Sequence, residues 1–142
     1  MVLGSFELRK SHDSLYYLND WRLPYPVYRF TTGDVDGDGV AEALVGVIKK
    51  TRFHREEGRR LFIFHNIDGH ARPLWLGSKL GGTLQDFRYA GDGAVRAIET
   101  TADGRYVVSD YRWQGFGLAF DRFLVKNAAY EEALRMFDKN NQ

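Results

Sequence analysis

Short apolar and aromatic segments, separated by turn residues, recur along the middle of the chain. Residues 43–48 form a β-branched apolar run, and residues 61–64 and 72–76 flank the dipeptide Asp68-Gly69. Apolar runs of this length bounded by turn residues are typical of strands, and Asp-Gly between two such runs is a strong hairpin signal. The pattern therefore predicts a series of antiparallel strands.

The same organisation continues downstream. Residues 94–101 and 105–113 flank Asp103-Gly104, and residues 117–125 follow Gln114-Gly115. Within residues 105–113, apolar side chains occupy both alternating sets of positions, which is expected when a sheet is covered on both faces. This half of the chain is predicted to be a further antiparallel sheet.

The two ends of the chain differ from this pattern. A helix is predicted over residues 128–137, with Asn127 as its N-cap and with the helix lying across the sheets. Its apolar face carries Tyr130, Leu134 and Phe137. Residues 5–25 are aromatic and mixed in character, and they predict strand fragments and a proline-limited loop.

Composition supports an all-β protein of one domain, residues 1–142. Aromatic residues make up 15% of the chain and there are 15 glycines, as expected for many strands and tight turns. A net charge of +1 gives no electrostatic reason to expect binding to nucleic acid or to an anionic membrane. No apolar stretch approaches the ~18 residues of a membrane-spanning helix, and the absence of cysteine excludes disulfides and thiol chemistry.

Candidate chemistry is concentrated in one loop before the first apolar run. Asp34, Asp36, Asp38 and Glu42 stand at loop positions 1, 3, 5 and 9. Alternate residues of a tight loop can point inward, and a hard cation such as Ca²⁺ takes six to eight oxygen ligands. The spacing predicts a calcium site in which these four residues supply carboxylate oxygens. Val40 supplies its backbone carbonyl, and Gly39 permits the sharp turn.

Two other interpretations of the loop are weaker. An EF-hand requires a bidentate Glu at position 12 and a helix on each side, whereas position 12 is Val45 and a predicted strand follows. Asp-Gly sequences also form plain turns. A plain turn, however, has no need of four acids whose mutual repulsion a cation would relieve.

The acidic loop, the aromatic strand before it and the apolar strand after it resemble the FG-GAP or VCBS-type repeat, found in the integrin-α head. The resemblance is close over residues 26–50 and loose over residues 84–125. It implies blades of a β-propeller whose hairpin loops bind Ca²⁺. It implies a fold unit and an ion, and no particular activity.

A second copy of the loop pattern supports this organisation. Residues 91–98 align with residues 37–44 at an offset of 54, close to the ~40 to 50 residues of a propeller repeat. Arg96 replaces Glu42 in the second copy, which is therefore predicted to keep the turn and lose the ion. We expect two or so blade-like antiparallel sheets and a short C-terminal helix. The predicted boundaries are 26–80 for the calcium-loop unit, 81–125 for the degenerate unit and 126–142 for the helix.

Catalytic constellations are poorly supported. The histidines, none of which has metal-ligand spacing, are His12, His54, His65 and His70. Ser78 lies in no nucleophile-elbow motif. Three carboxylates that could in principle act as a glycosidase acid and base are Asp86, Glu99 and Asp110. Trp21, Trp75 and Trp113 could line a sugar-binding face, although packing in the core is the favoured interpretation.

One basic cluster remains, and it consists of Lys49, Lys50, Arg52, Arg55, Arg59 and Arg60. Glu56 and Glu57 interrupt it, so a solvated hairpin end is favoured over a nucleic-acid site.

The sequence thus favours a calcium-stabilised binding or scaffolding module without chemistry of its own, whose ligand is a protein or a glycan. Because fewer than four blades fit the length, a homo-oligomer could complete a propeller. The alternative is a carbohydrate-active enzyme that uses calcium structurally. Short loops of the extracellular type bind Ca²⁺ at roughly 10⁻⁴ to 10⁻³ M, which favours an extracytoplasmic protein whose leader has been removed.

Overall fold

The computed structural model describes residues 1–49, 58–77 and 82–139, and it is all-β as predicted. The described residues form three four-stranded antiparallel sheets, each with its strands in chain order, and one helix. The elements are β1 (Val2–Leu3), β2 (Phe6–His12), β3 (Leu15–Leu18), β4 (Trp21–Leu23), β5 (Val27–Gly33), β6 (Glu42–Lys49), β7 (Gly58–Ile67), β8 (His70–Trp75), β9 (Thr83–Gly91), β10 (Ala94–Thr100), β11 (Tyr106–Trp113), β12 (Leu118–Ala128) and α1 (Tyr130–Asp138).

The N-terminal segment, which predicts only strand fragments, forms a complete sheet of β1 to β4. The structure therefore has three four-stranded sheets, where the sequence predicts two or so blade-like ones. The turn between β3 and β4 contains Asn19, whose φ of 51° places it in the left-handed region. Its side chain accepts the N–H of Glu7 at 2.7 Å and donates to the carbonyl of Ser5 at 3.2 Å. These bonds hold the short strands together.

By its internal contacts the chain divides into two compact units, Met1–Gly33 with Val40–Gly77, and Asp34–Gly39 with Ser78–Gln142. In the first unit, the sheets β1–β4 and β5–β8 share one core. Phe6, Leu18 and Leu23 of the first sheet pack with Phe62 and Phe64 of the second. Burial of such side chains contributes about 1.5–3 kcal/mol each. The single domain proposed for residues 1–142, with its internal boundaries, stays a prediction.

Gly46 of β6 allows the ring of Tyr28, on the neighbouring strand β5, to lie close to the backbone. A Cβ at this position would lie 2.5 Å from Cζ of the Tyr28 ring. Replacing Gly46 by alanine is therefore expected to lower the free energy of unfolding by about 1–3 kcal/mol, because a packed ring must shift. Chemical denaturation measures the change, and Gly46→Ala combined with Tyr28→Ala should recover part of it. An unaltered stability in the single variant would contradict the close approach.

In the second unit, α1 packs on one face of the sheet β9–β12. Ala133 and Phe137 are buried against Ile98 and Val108. The predicted N-cap is wrong: the helix begins at Tyr130 with Ala129 as its cap, and the cap makes no side-chain hydrogen bond to the helix. Asn127 belongs to β12 with a φ of 52°. Its Oδ1 and its carbonyl oxygen accept hydrogen bonds from Arg105, which immediately precedes β11. The Asn127 side chain therefore bonds to the β10–β11 connection and not to the helix.

A buried ion pair lies on the helix-covered face of this sheet. Arg96 and Asp110 face each other on β10 and β11, with their side chains 1% and 0% exposed. Arg96 donates from Nε to Oδ1 at 2.8 Å and from Nη2 to Oδ2 at 3.1 Å. Arg122 adds a third bond to Oδ2 at 3.1 Å. Although burial raises the pKa of Asp110, the hydrogen bonds and charges of the two arginines hold it below its ordinary value.

Two arginines of the sheet also hold the C-terminal end of α1. Arg88 donates to the carbonyls of Phe137 at 3.1 Å and Lys139 at 3.0 Å, and Arg96 donates to the carbonyl of Lys139 as well. The last carbonyls of a helix have no partner within the helix, and the helix dipole favours positive charge beside them. The sheet therefore supplies the C-terminal cap of this helix.

Candidate metal centre and adjoining cleft

The acidic loop joins two adjacent strands, as predicted. β5 ends at Gly33 and β6 begins at Glu42, and these two residues are paired in the ladder. Gly39 has a φ of +85°, and an added Cβ would meet nothing within 4 Å, so the glycine is required by the backbone conformation and not by crowding. The sharp turn predicted at loop position 6 is confirmed.

Asp34 organises the loop through both of its carboxylate oxygens. Oδ1 accepts the N–H of Gly37 and Oδ2 accepts the N–H of Gly39, each at 2.9 Å. Asp36 similarly accepts the N–H of Asp38 at 3.3 Å. Aspartates that bond to the backbone two or more residues ahead form compact turns. The hydrogen bonds draw the loop backbone around its own carboxylates.

The four predicted carboxylates converge. One oxygen from each of Asp34, Asp36, Asp38 and Glu42 lies within 4.8 Å of the others. Two oxygens that share a Ca²⁺ at 2.3–2.6 Å lie at most about 4.6–5.2 Å apart, so the four oxygens fit one coordination sphere. They form the one group of three or more His, Asp or Glu side chains with metal-binding geometry in the described part of the chain.

The electrostatics of the loop agree with this arrangement. Burial raises the pKa of Asp36 above its ordinary value, and the neighbouring carboxylates of Asp38 and Asp34 raise it further. Glu42 is only 1% exposed. Like charges at such short range disfavour full ionisation, and a divalent cation removes the penalty. Val40, the proposed carbonyl ligand, has a 57% exposed side chain, as suits a residue needed only for its main chain.

The second copy of the loop pattern keeps its turn. Asp92 and Gly93 connect β9 to β10 with φ values of 51° and 80°, the positive pair that defines a tight hairpin turn. Arg96, aligned with Glu42, is the buried partner of Asp110. In the second copy, the position that corresponds to the metal ligand Glu42 therefore holds an arginine whose guanidinium pairs with Asp110.

A cleft of about 490 Å³ lies beside the acidic loop within the second unit. Its walls come from three segments, namely the loop at Asp34–Gly37, the β9–β10 turn and the end of β11 with the following turn. Tyr89 ties two of these together, since its hydroxyl donates to the carbonyl of Asp34 at 3.2 Å and accepts the N–H of Gly93 at 2.9 Å. Sequence reasoning did not find this cleft, because its walls lie far apart in the chain.

Two of the predicted glycosidase carboxylates, Glu99 and Asp110, do not form an acid–base pair. Asp110 is opposite Arg96 and Glu99 is opposite Val107 in the β10–β11 ladder, so the two acids point to opposite faces of the sheet. Glu99 accepts the hydroxyl of Tyr111 at 2.7 Å and the N–H of Gly82 at 2.6 Å, which makes it a buried structural acceptor. Asp86 accepts the N–H of its neighbour Phe87.

The remaining candidates are dispersed or lie outside the described residues. His70 Nδ1 is 3.0 Å from Asp20, which also accepts a hydrogen bond from Arg72 at 2.8 Å. His54, Ser78 and half of the basic cluster (Lys50, Arg52 and Arg55) lie outside the described residues, as do Glu56 and Glu57.

In the described part of the chain, no helix has the length and apolar character needed to cross a membrane. Comparisons of the chain with protein-family models, with curated proteins and with solved structures find no match.

Proposed function

We propose that this chain is a calcium-stabilised, β-propeller-like module that binds a ligand outside the cytoplasm and has no chemistry of its own. The observation that carries the proposal is the convergence of four carboxylate oxygens within 4.8 Å in one nine-residue loop. The four-stranded, antiparallel sheets with strands in chain order support the blade-like part of it, because a propeller blade has this composition.

In this proposal the loop residues hold the ion and the ion orders the loop. Asp34, Asp36, Asp38 and Glu42 supply carboxylate oxygens and Val40 its carbonyl. The bound cation neutralises the repulsion among the ionised carboxylates of the loop. That repulsion contributes to the raised pKa of Asp36. With most positions taken by protein, little room is left for a reactive metal-bound water, which favours a structural ion over a catalytic one.

Titration calorimetry tests the ion. Ca²⁺ is expected to bind with a dissociation constant on the order of 10⁻⁴ to 10⁻³ M, and Mg²⁺ more weakly, because Mg²⁺ demands a smaller and more regular octahedral sphere. Asp36→Asn should weaken Ca²⁺ binding at least tenfold. The matched control is Asp68→Asn, an exposed turn aspartate outside the loop, which should leave the affinity unchanged. Absence of heat with millimolar Ca²⁺, or equal loss in both variants, would contradict the proposal.

A hydrolase screen with glycosides, esters and phosphates, run with calcium present, tests the absence of chemistry. Turnover that survives purification and is lost in Asp86→Asn or Glu99→Gln would favour the carbohydrate-active enzyme instead.

A further inference from the structure

We propose that the cleft beside the acidic loop is a binding site for a neutral saccharide, with Trp113 as its stacking surface and Asp92 and Gln114 as its hydrogen-bonding groups. The inference rests on the proposed binding function and gives it a ligand class. All three residues line the cleft, and they lie at the same end of the sheet β9–β12: Asp92 in the β9–β10 turn, Trp113 at the end of β11 and Gln114 in the turn that follows.

The cleft combines fixed side chains with uncommitted ones. Tyr89 is held by two hydrogen bonds, and Arg112 is held by Asp121 at 3.1 Å and by the carbonyl of Asp92. By contrast, the side chains of Asp92, Trp113 and Gln114 make no hydrogen bond or ion pair within the described residues. Rigid walls that present free polar groups are the arrangement expected of a preformed ligand site.

The polar groups of Asp92, Trp113 and Gln114 complement the hydroxyl groups of a sugar. A carboxylate accepts hydrogen bonds, an indole N–H donates one, and an amide does both. Vicinal hydroxyls of a sugar can donate to Asp92 and accept from Trp113 and Gln114. The C–H face of a pyranose ring can pack on the indole, because an aromatic ring offers apolar area with a polar edge. A volume of about 490 Å³ lies within the usual range of small-molecule sites.

Charge argues against anionic ligands. Asp34, Asp36 and Asp92 border the cleft, and its cationic residue, Arg112, is already paired. A phosphate, sulfate or acidic sugar would meet repulsion without a free cation to receive it. A neutral polyol avoids that cost. Phe116, at the tip of the turn that begins with Gln114, is 90% exposed and offers additional apolar surface near this end of the sheet.

The test uses calcium-loaded protein and follows the indole N–H signals of the three tryptophans by NMR. Maltotriose, cellotriose and triacetylchitotriose are each titrated to about 10 mM, a range that detects affinities as weak as millimolar. At least one is expected to shift the Trp113 signal in a saturable way, while Trp21 and Trp75 serve as internal references. Trp113→Phe assigns the signal, because that variant lacks the indole N–H.

Two variants identify the contacts. Asp92→Asn is expected to weaken the affinity about tenfold, since it removes a charged acceptor while asparagine still tolerates the left-handed turn. Its matched control is Asp68→Asn, at the corresponding Asp-Gly turn with φ of 54°, which should bind normally. Trp113→Ala should abolish the sugar binding that titration calorimetry detects in the unsubstituted protein, with its fold verified by circular dichroism.

The outcomes separate this inference from the calcium proposal. Calcium binding by calorimetry without a saturable Trp113 shift for any of the three sugars overturns the saccharide site alone. A sugar-induced Trp113 shift in protein that binds no Ca²⁺ supports the cleft and overturns the ion. A shift produced by an oligolysine peptide and by none of the sugars also overturns the inference, because it assigns the acidic cleft to a basic peptide.

Discussion

Replacing Asp110 by alanine is expected to lower the free energy of unfolding by about 3–5 kcal/mol, the largest effect that we predict for a single substitution. Removal of one partner of a buried pair leaves the other charge uncompensated. Here that charge is Arg96, whose side chain is 1% exposed and which would lose its two hydrogen bonds to the Asp110 carboxylate. Urea denaturation measures the loss as a shift of the midpoint at constant slope.

Arg122→Ala is the matched control. It removes one of the three hydrogen bonds to the same carboxylate, yet its side chain is 56% exposed, so the expected loss is below about 1 kcal/mol. A cost for Asp110→Ala no larger than that for Arg122→Ala would contradict the assigned importance of the buried pair. The double variant Arg96→Met with Asp110→Leu should recover much of the stability, because a well-packed apolar pair can replace a buried ion pair.

The carboxylate of Asp110 also makes the free energy of unfolding depend on pH. Because the arginines hold the pKa of Asp110 below its ordinary value, its contribution is fully present above the unfolded-state pKa of about 3.9 and is lost as the pH falls through the lower folded-state value. Asp110→Ala should therefore flatten the pH dependence of stability below about pH 4. The pKa values of Asp20 and Asp103 are also lowered, so a residual slope is expected in the variant.

Calcium is expected to add about 2.7 kcal/mol to the free energy of unfolding at a concentration one hundredfold above its dissociation constant. Asp34→Ala should abolish this increment, and it should also destabilise the calcium-free protein, because Oδ1 and Oδ2 accept the N–H groups of Gly37 and Gly39. Thermal unfolding with Ca²⁺ and with chelator measures both effects.

Asp34→Asn separates the two roles of this side chain. The amide keeps one oxygen as an acceptor for the loop backbone but removes the negative charge that a cation requires, so the calcium increment should fall while the calcium-free stability changes less than in the alanine variant. A melting temperature that chelator leaves unchanged in the unsubstituted protein would contradict the structural role of the ion.

Local sequence signals predicted the second and third sheets well. Asp68-Gly69 and Asp103-Gly104 connect β7 to β8 and β10 to β11, and residues 43–48 lie within β6. These features depend on residues close in sequence, because a hairpin turn and its flanking strands are specified within about a dozen positions. The convergence of the loop carboxylates has the same origin.

Features that depend on distant residues were not predicted. Residues 2–23 form a sheet through very short strands, and the side chain of Asn19 ties its turn to Ser5 and Glu7. Arg96 and Asp110 gave no signal as a pair, because charged residues are seldom buried and neither strand alternates cleanly. The helix start was misplaced for a related reason: Asn127 bonds to Arg105, 22 residues away, and not to the helix.

The arginine cap on α1 has a consequence for the order in which the chain folds. Within each sheet, neighbouring strands are consecutive in the chain, so their contacts close short loops and can form early. The bonds from Arg88 to Phe137 and from Arg96 to Lys139 span 49 and 43 residues, so they are long-range contacts of the second unit. Interactions that form after the rate-limiting barrier govern how fast a protein unfolds and hardly affect how fast it folds. We expect α1 to dock after that barrier, so that weakening the arginine cap speeds unfolding of the second unit and hardly changes its folding rate.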